Sequence, residues 1–559
     1  MEAGCRRRGA KRFFGGARHF FGGARHFFGG ARHFFGAGTR SGCRARFPDR
    51  TQLLHAVRRS PEAALSDLYD QFVYDDFPFT DTHPDWLASH GVLFGLDPAP
   101  VEGCRVLELG CGLGGNLVPL GELLPGATFV GVDRAARQIA VGREDVRALG
   151  LTNVDLRVLD ILDVPLVGEP FDYIICHGVF SWVPPNVQDH ILAVCGRRLA
   201  PQGLAILSYN VLPGWHLRGM IRDLLRREVG VDGHPKDRAQ AARDVVQFMR
   251  ANVPAERSTI GRWLKNELDT IESLSDAYLF FEHLVEDNQP MYFRDFAARA
   301  HGAGLAYLCD AEFASALPAR YGPEVQAALE ARGGGQIETE QWLDYLTTRF
   351  FRRSILCRAD APVDRHLTGE RVTGLRATTL MARVEGGFRG AGGALIETED
   401  PVVERALLSL DAIHPQAAPV ATLAKMAGTT PEDLGATLLE LFSHGHIGFG
   451  RWARPFVTRP GPHPRTTALA RLKAQRGLTS VPNVQHESIA LDSADRVLLA
   501  HLDGTRDHEA LTDVLAGAAA DGTVKITRAD DAPVTDRAIF RELVEVKLDH
   551  LARAALLLA

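Results

Sequence analysis

Five short apolar runs, with helical stretches lying between them, constrain the fold of this chain more than any other feature. They lie at 105–109 (RVLEL), 128–132 (TFVGV), 155–159 (DLRVL), 171–176 (FDYIIC) and 204–209 (LAILSY). Stretches with helical periodicity, centred on 118–124, 137–149 and 187–199, lie between them. Runs apolar on both faces, joined by helices of this length, are buried when a parallel sheet is covered on each side. The pattern predicts an α/β, Rossmann-like core over 101–212.

The flanking segments are organised differently. Residues 49–100 read as helix, aromatic loop and helix: Ser60 before Pro61 and Glu62 opens the first helix, and Thr82-His83-Pro84-Asp85 opens the second. Tyr69 and Tyr74 in the loop are read either as a lid over the ligand or as surface packing. Residues 213–289 turn helical and charged ("MIRDLLRREV", "AQAARDVVQFMRANV", "IGRWLKNELDTIESL"), as an inserted helical domain between the fifth and sixth strands. The α/β rhythm returns over 290–358, with helices at 292–304 and 338–351 and strands at 305–312 and 353–358. A strand-poor bridge, 359–398, leads to 399–559, where three helices and a short hairpin ending near residue 450 outline a winged-helix-like domain. Its would-be recognition helix carries Glu432, Asp433 and Glu440 but no Arg or Lys, which disfavours phosphate contacts and suits a protein-interaction or scaffold role.

Composition narrows the function classes. The 559 residues are 45% hydrophobic and 24% charged with a net charge of -6, so neither nucleic acid nor an anionic membrane is expected as partner. Eight cysteines occur without a C-x-x-C pair or metal-ligand spacing, and Cys104, Cys176 and Cys195 sit in apolar runs as buried thiols. A reducing, cytoplasmic location is expected, and no metal site. No run approaches the roughly 18 apolar residues that span a bilayer, so no membrane insertion is expected. Residues 1–48 repeat FFGGARH and cannot bury a core. They are expected to be disordered and to be an inert extension rather than an organelle-targeting peptide or a nucleic-acid-binding tail.

The stretch "VLELGCGLGGNL" (106–117) holds four glycines in six residues, directly after the first strand. Gly110, Gly112 and Gly115 satisfy G-x-G-x-x-G, and Asp133 follows about twenty residues on, as in a dinucleotide fingerprint. Glu108 separates the alternatives, because a carboxylate at the end of the first strand repels a pyrophosphate and attracts an ammonium group. S-adenosylmethionine fits: its ammonium faces Glu108, its carboxylate meets backbone N–H groups at the helix start, and it carries no phosphate. Asp133, ending the second strand, is placed for the ribose hydroxyls. Asp160 and Ile161, ending the third, are placed for the adenine amino group and ring, with Asp163 as a substitute carboxylate. Cys111 and Asn116, in and just after the turn, complete the cofactor-binding set.

"ELGCGLGGN", "GVD" and "LDI" resemble the first motifs of class I S-adenosylmethionine-dependent methyltransferases. "THPDWLASHGVLFGLDPAPVEGCRVLELGCGLGGNL", "FDYIICHGVFSWVPP" and "LSYNVLPGW" resemble, more narrowly, bacterial methyltransferases with a methyltransferase regulatory domain, among them protein-lysine methyltransferases acting on outer-membrane proteins. The similarity runs from about residue 69 to residue 358 and more weakly to the C-terminus. It implies a class I sheet and a regulatory or substrate-binding helical block with its "DNQPMYFRDF" exit. One departure from the family is Phe281, where a His is expected before the Glu of "FFEHL".

Methyl transfer from a sulfonium is an in-line displacement, so positioning and exclusion of water dominate. The fourth strand ends in His177-Gly178, followed by Phe180, Ser181 and Trp182. The fifth ends in Tyr209-Asn210, followed by Pro213-Gly214-Trp215-His216. Tyr209 and His177 are the expected catalytic pair, orienting the acceptor or taking its proton, with His177 also touching the cofactor, while Trp215 is expected in the core. An N-P-P-Y tetrad is absent, which disfavours DNA. The expected activity is methyl transfer to a nitrogen of a protein lysine, with a small molecule or natural-product intermediate as the alternative acceptor. An NAD-dependent oxidoreductase, which Glu108 opposes, and an inert adaptor complete the readings. Oligomeric state is not legible.

Overall fold

The computed structural model describes residues 77–559 apart from 391–392, 394 and 528–533. The tail 1–48, the helix start at Ser60 and the loop tyrosines Tyr69 and Tyr74 lie outside the described residues.

The expected core is present. Strands β1 (Arg105–Leu109), β2 (Thr128–Asp133), β3 (Val154–Val158), β4 (Phe171–Cys176), β5 (Leu199–Leu212), β6 (Met291–Tyr292), β7 (Leu305–Asp310) and β8 (Phe351–Arg358) form one sheet. Its order is β3-β2-β1-β4-β5-β8-β7, with β6 paired beside β5. β1 to β5 are mutually parallel, and β8 runs antiparallel between β5 and β7. From β1 the chain winds to β2 and β3 on one side and then to β4 and β5 on the other. The carboxyl ends of β1 and β4 therefore flank the switch point where open α/β sheets bind ligands.

Alternation along the strands divides the core. Val106, Tyr173, Ile175, Leu204 and Ile206 face one hydrophobic cluster, whereas Leu107, Leu109, Ile174, Cys176, Ala205, Leu207 and Tyr209 face the other. The second cluster is closed by Phe293 and Phe296 of helix Phe293–Gly302. Where both faces are covered, as along β4 and the middle of β5, the strands are largely apolar, whereas the edge strand β3 exposes Asp155, Arg157 and Val158. β5 runs to Leu212, beyond the expected 209, because β8 and β6 pair with its carboxyl end. Between β5 and β6 the helices Trp215–Val229, Pro235–Asn252, Thr259–Glu272 and Asp276–His283 form the expected insert, with an apolar cluster of their own.

The bridge 359–398 is a correction. It contains strands Arg376–Thr379, Ala382–Val384, Gly387–Arg389 and Leu395–Ile396. Arg376–Thr379 pairs centrally between Ala418–Pro419 and Ile447–Gly450, so the expected hairpin is instead a three-stranded sheet whose middle strand precedes its helices. Helices Pro401–Ile413, Val420–Ala427 and Pro431–Ser443 pack into the same apolar cluster as one face of the main sheet, while residues beyond about 463 build a separate one. That last unit is tied to the core by polar contacts. Glu122 accepts from the backbone N–H groups of Ala468 (2.6 Å) and Leu469 (3.0 Å) at the start of helix Ala468–Gln475, and Arg476 pairs with Asp145. Among the described residues no helix is long and apolar enough to cross a membrane.

Candidate cofactor and methyl-transfer site

The glycine turn is built by three residues in the left-handed region, Gly110 (φ 77°), Gly112 (φ 54°) and Gly114 (φ 88°). The third is Gly114 rather than the Gly115 of the literal spacing. A Cβ on Gly110 would lie 2.4 Å from Cγ2 of Val179, and one on Gly114 would lie 3.1 Å from Leu156 and Val118 side chains. Close packing of the β4 loop and of helix Leu117–Leu123 therefore demands these glycines as much as any ligand does. Cys111 is buried in the core, and its backbone is used within the turn: its N–H donates to the Val132 carbonyl (3.1 Å) and its carbonyl accepts from the Gly114 N–H (2.8 Å).

Two carboxylates organise the turn. The N–H groups of Gly112 (2.9 Å) and Ala135 (2.8 Å) donate to opposite oxygens of Asp133, which closes the turn onto the end of β2. Burial raises the Asp133 pKa above the ordinary carboxylate range, against the lowering effect of those N–H donors. Glu108, 3% exposed, accepts at Oε1 from Nδ2 of Asn116 at 2.6 Å. Oδ1 of Asn116 then accepts from the Phe79 N–H (3.0 Å) and lies 3.1 Å from Nε2 of His486 and 3.0 Å from the Thr82 hydroxyl, whose one proton has a nearer acceptor in the Phe79 carbonyl (2.8 Å). Asp160 begins the short turn Ile161–Asp163, accepting from the Leu162 N–H at 2.9 Å. Asp160 and Ile161 remain half-buried at the crevice and Asp163 is exposed. Adjacent strand ends thus carry Asp160, Asp133, Glu108 and His177 in the order β3, β2, β1, β4. This anionic rim, with no Arg or Lys in 106–117, fits a cationic, phosphate-free nucleoside.

His177 stands at the end of β4 with its ring 4.1 Å from that of Phe79, centroid to centroid. Its Nδ1 is enclosed without a hydrogen-bond partner, and burial pushes its pKa down to about 4. Gly178 beside it (φ 71°) has open space on its Cβ side, and its N–H is held by the Ser208 hydroxyl at 2.7 Å.

Tyr209 is a correction. It is 1% exposed, stacks on Phe296 at 4.0 Å and lies 2.9 Å, hydroxyl to hydroxyl, from Ser354. Strand parity is the cause: 205, 207, 209 and 211 point at helix Phe293–Gly302, while 208 and 210 take the opposite face. Tyr209→Phe is expected to leave cofactor affinity and turnover within about twofold and to cost about 1 kcal/mol of stability, the worth of one buried hydrogen bond. A tenfold drop in kcat at unchanged stability would return Tyr209 to the reaction. Trp215 is core, as expected. It is 4% exposed, donates to Oδ1 of Asn288 at 2.7 Å and meets Trp182 edge-on at 6.1 Å.

Phe79, Thr82 and His486 were not singled out from the sequence. Thr82 and His83 read only as a helix opener, a role His83 fills by accepting the Asp85 N–H at Nδ1. "NVQHES" around His486 carries no motif at all.

Three segments of the chain match known protein families. Residues 106–203 match a methyltransferase domain, 275–358 a predicted methyltransferase regulatory domain, and 463–556 the PKMT C-terminal winged helix domain. The regulatory match thus takes in the last insert helix and the returning strands, and the winged-helix match lies downstream of the three helices whose pattern suggested one. Uncharacterized protein RP789 of Rickettsia prowazekii is 29% identical over 504 residues, 85% of this chain and 90% of the relative. RP028 of the same organism, also uncharacterized, is 36% identical over 232 residues, 42% of this chain and 93% of the relative. Among solved structures, PKMT2 from Rickettsia typhi in complex with AdoHcy superposes with a TM-score of 0.78 at 26% identity, covering 87% of this chain and 100% of that one.

Proposed function

The chain belongs to the class I S-adenosylmethionine-dependent methyltransferases, and from that premise we propose that it methylates the side-chain nitrogen of lysine in a protein substrate. The observation that carries this reading is the likeness to PKMT2, a protein lysine methyltransferase by name, over the whole of that chain rather than over the cofactor domain alone. The regulatory and winged-helix segments, which make up much of the likeness, give a protein acceptor more surface than a small metabolite uses.

S-adenosylmethionine supplies the methyl group as a sulfonium substituent that the acceptor displaces in line. The chain's residues position and protect. Glu108, held by Asn116, takes the ammonium side; Asp133 takes the ribose; Asp160 and Ile161 take the adenine. Backbone N–H groups between the turn and the start of helix Leu117–Leu123, past those that Cys111, Gly112 and Gly114 already donate within the protein, take the carboxylate. His177, held neutral by its pKa of about 4, is far too weak a base to keep a proton from an amine near pKa 10.4. Its role is therefore to orient the incoming amine, and the proton leaves to solvent.

Incubating the enzyme with methyl-labelled cofactor and a lysate of its own host tests the acceptor. Label is expected in protein, released on acid hydrolysis as methyllysine. Label confined to the small-molecule fraction would replace this reading with that of a metabolite methyltransferase.

A further inference from the structure

The floor of the cofactor pocket is shared between two parts of the chain. Helix Leu117–Leu123 begins beside Asn116, and His486 reaches that residue from the turn between strands Ser480–Pro482 and Ser488–Ala490. The turn is built to hold its tip. Oδ1 of Asn483 accepts from the N–H groups of Gln485 (2.9 Å) and Glu487 (2.8 Å), and its Nδ2 donates to the Ala554 carbonyl (2.9 Å) and to Glu487 (2.8 Å). His486 takes a left-handed conformation there (φ 65°) and is 1% exposed. Its carbonyl accepts from the Thr80 hydroxyl at 3.2 Å, and its ring meets that of His83 edge-on at 5.5 Å.

The hydrogen bond to Asn116 has a fixed direction. Asn116 donates to Glu108 through Nδ2, so its carbonyl oxygen is the atom that faces Phe79, Thr82 and His486. A carbonyl only accepts, so Nε2 of His486 carries the proton. Its Nδ1 is then the acceptor, enclosed without a partner, and burial with the nearby Arg454 pushes the imidazole pKa down to about 3. A neutral donor with one tautomer is what this position requires.

We propose that His486 is a positioning residue for S-adenosylmethionine: the winged-helix segment donates through it to Asn116, which in turn sets the Glu108 carboxylate that receives the cofactor's ammonium group. The cofactor pocket is complete only when that segment is docked. By linkage, cofactor binding holds the segment in place to the same extent. The inference rests on Glu108 and Asn116 forming the ammonium side of the site.

The test uses the full chain and S-adenosylhomocysteine as probe, with affinity read by calorimetry, so no turnover is needed. His486→Gln keeps an N–H near the position of Nε2 and is expected to stay within about threefold of wild type. His486→Met, of similar length without a donor, is expected to bind about tenfold more weakly, since Oδ1 of Asn116 then keeps the Phe79 N–H as its one committed donor. In an Asn116→Ala background the Gln and Met variants are expected to bind alike, which a merely structural role of His486 would not produce. Equal affinities for the Gln and Met variants in the parent chain, or a Gln–Met difference that persists without Asn116, would overturn the proposal. Glu108→Gln separates the two layers: unchanged affinity there removes the ammonium site itself, whereas a loss there with no Gln–Met difference at 486 removes only the role of His486.

Discussion

Asp133→Ala is expected to weaken S-adenosylhomocysteine binding by a hundredfold or more in calorimetry. Two effects combine. Asp133 is placed to accept the ribose hydroxyls, and hydrogen bonds to a charged acceptor contribute about 1.5–3 kcal/mol each. The same carboxylate also accepts from Gly112 and Ala135, so alanine frees two backbone donors and lets the left-handed turn at Gly110 and Gly112 relax away from the crevice. Asp133→Asn separates these contributions. It keeps one acceptor oxygen for the turn but lacks the charge and the second acceptor, and its affinity is expected between those of wild type and alanine. Binding of the alanine variant within threefold of wild type would remove Asp133 from the cofactor site.

The second large effect is acid lability. His83, His90, His177, His283 and His486 are all held in their neutral form by burial, with His177 pushed down to about 4 and His283 and His486 to about 3. In the unfolded chain each titrates near 6.5. The stability that depends on neutral imidazole is intact above that value. It is lost as pH falls below it, because the unfolded chain takes up protons that the folded chain refuses. Glu282, raised to about 7 by burial, acts with the opposite sign between about 7 and 4.5 and offsets roughly one proton, and the buried carboxyls of Asp85, Asp133 and Asp344, also raised, act in the same sense as Glu282. For His177, His283 and His486 set against Glu282, about two protons remain in the balance near pH 5.5, which corresponds to about 2.5 kcal/mol lost per pH unit, a sizeable share of the 5–15 kcal/mol that holds a typical domain folded. Thermal melts are expected to fall by about 5 °C between pH 7.5 and 5.5. A melting temperature flat over that interval would mean that these rings gain protons without unfolding.

Much of the core was legible in short stretches of chain. β1 and β4 begin and end where their apolar runs do, and β2 and β3 differ from theirs by one residue. The turn after β1 was legible because L-residues rarely adopt the left-handed backbone that Gly110 and Gly112 take. Tyr209 was not legible. β5 is buried on both faces, and although Ser208 and Asn210 make one parity polar, the hydroxyl of Tyr209 makes the other look equally suited to the crevice, when it in fact faces Phe296. Arg376–Thr379 was missed for a related reason: four residues reading RATT have no apolar pattern, and they form a strand because two distant segments pair with them.

Strand ends, the glycine turn and the acids beside it follow from local chemistry, since each depends on neighbours within a few positions. The partners of those acids do not. Asn116 and His486 meet across 370 residues, and Glu122 receives N–H groups 346 and 347 residues away. Contacts of that kind carry no periodicity, because they exist only after separate apolar clusters have formed and brought their polar rims together.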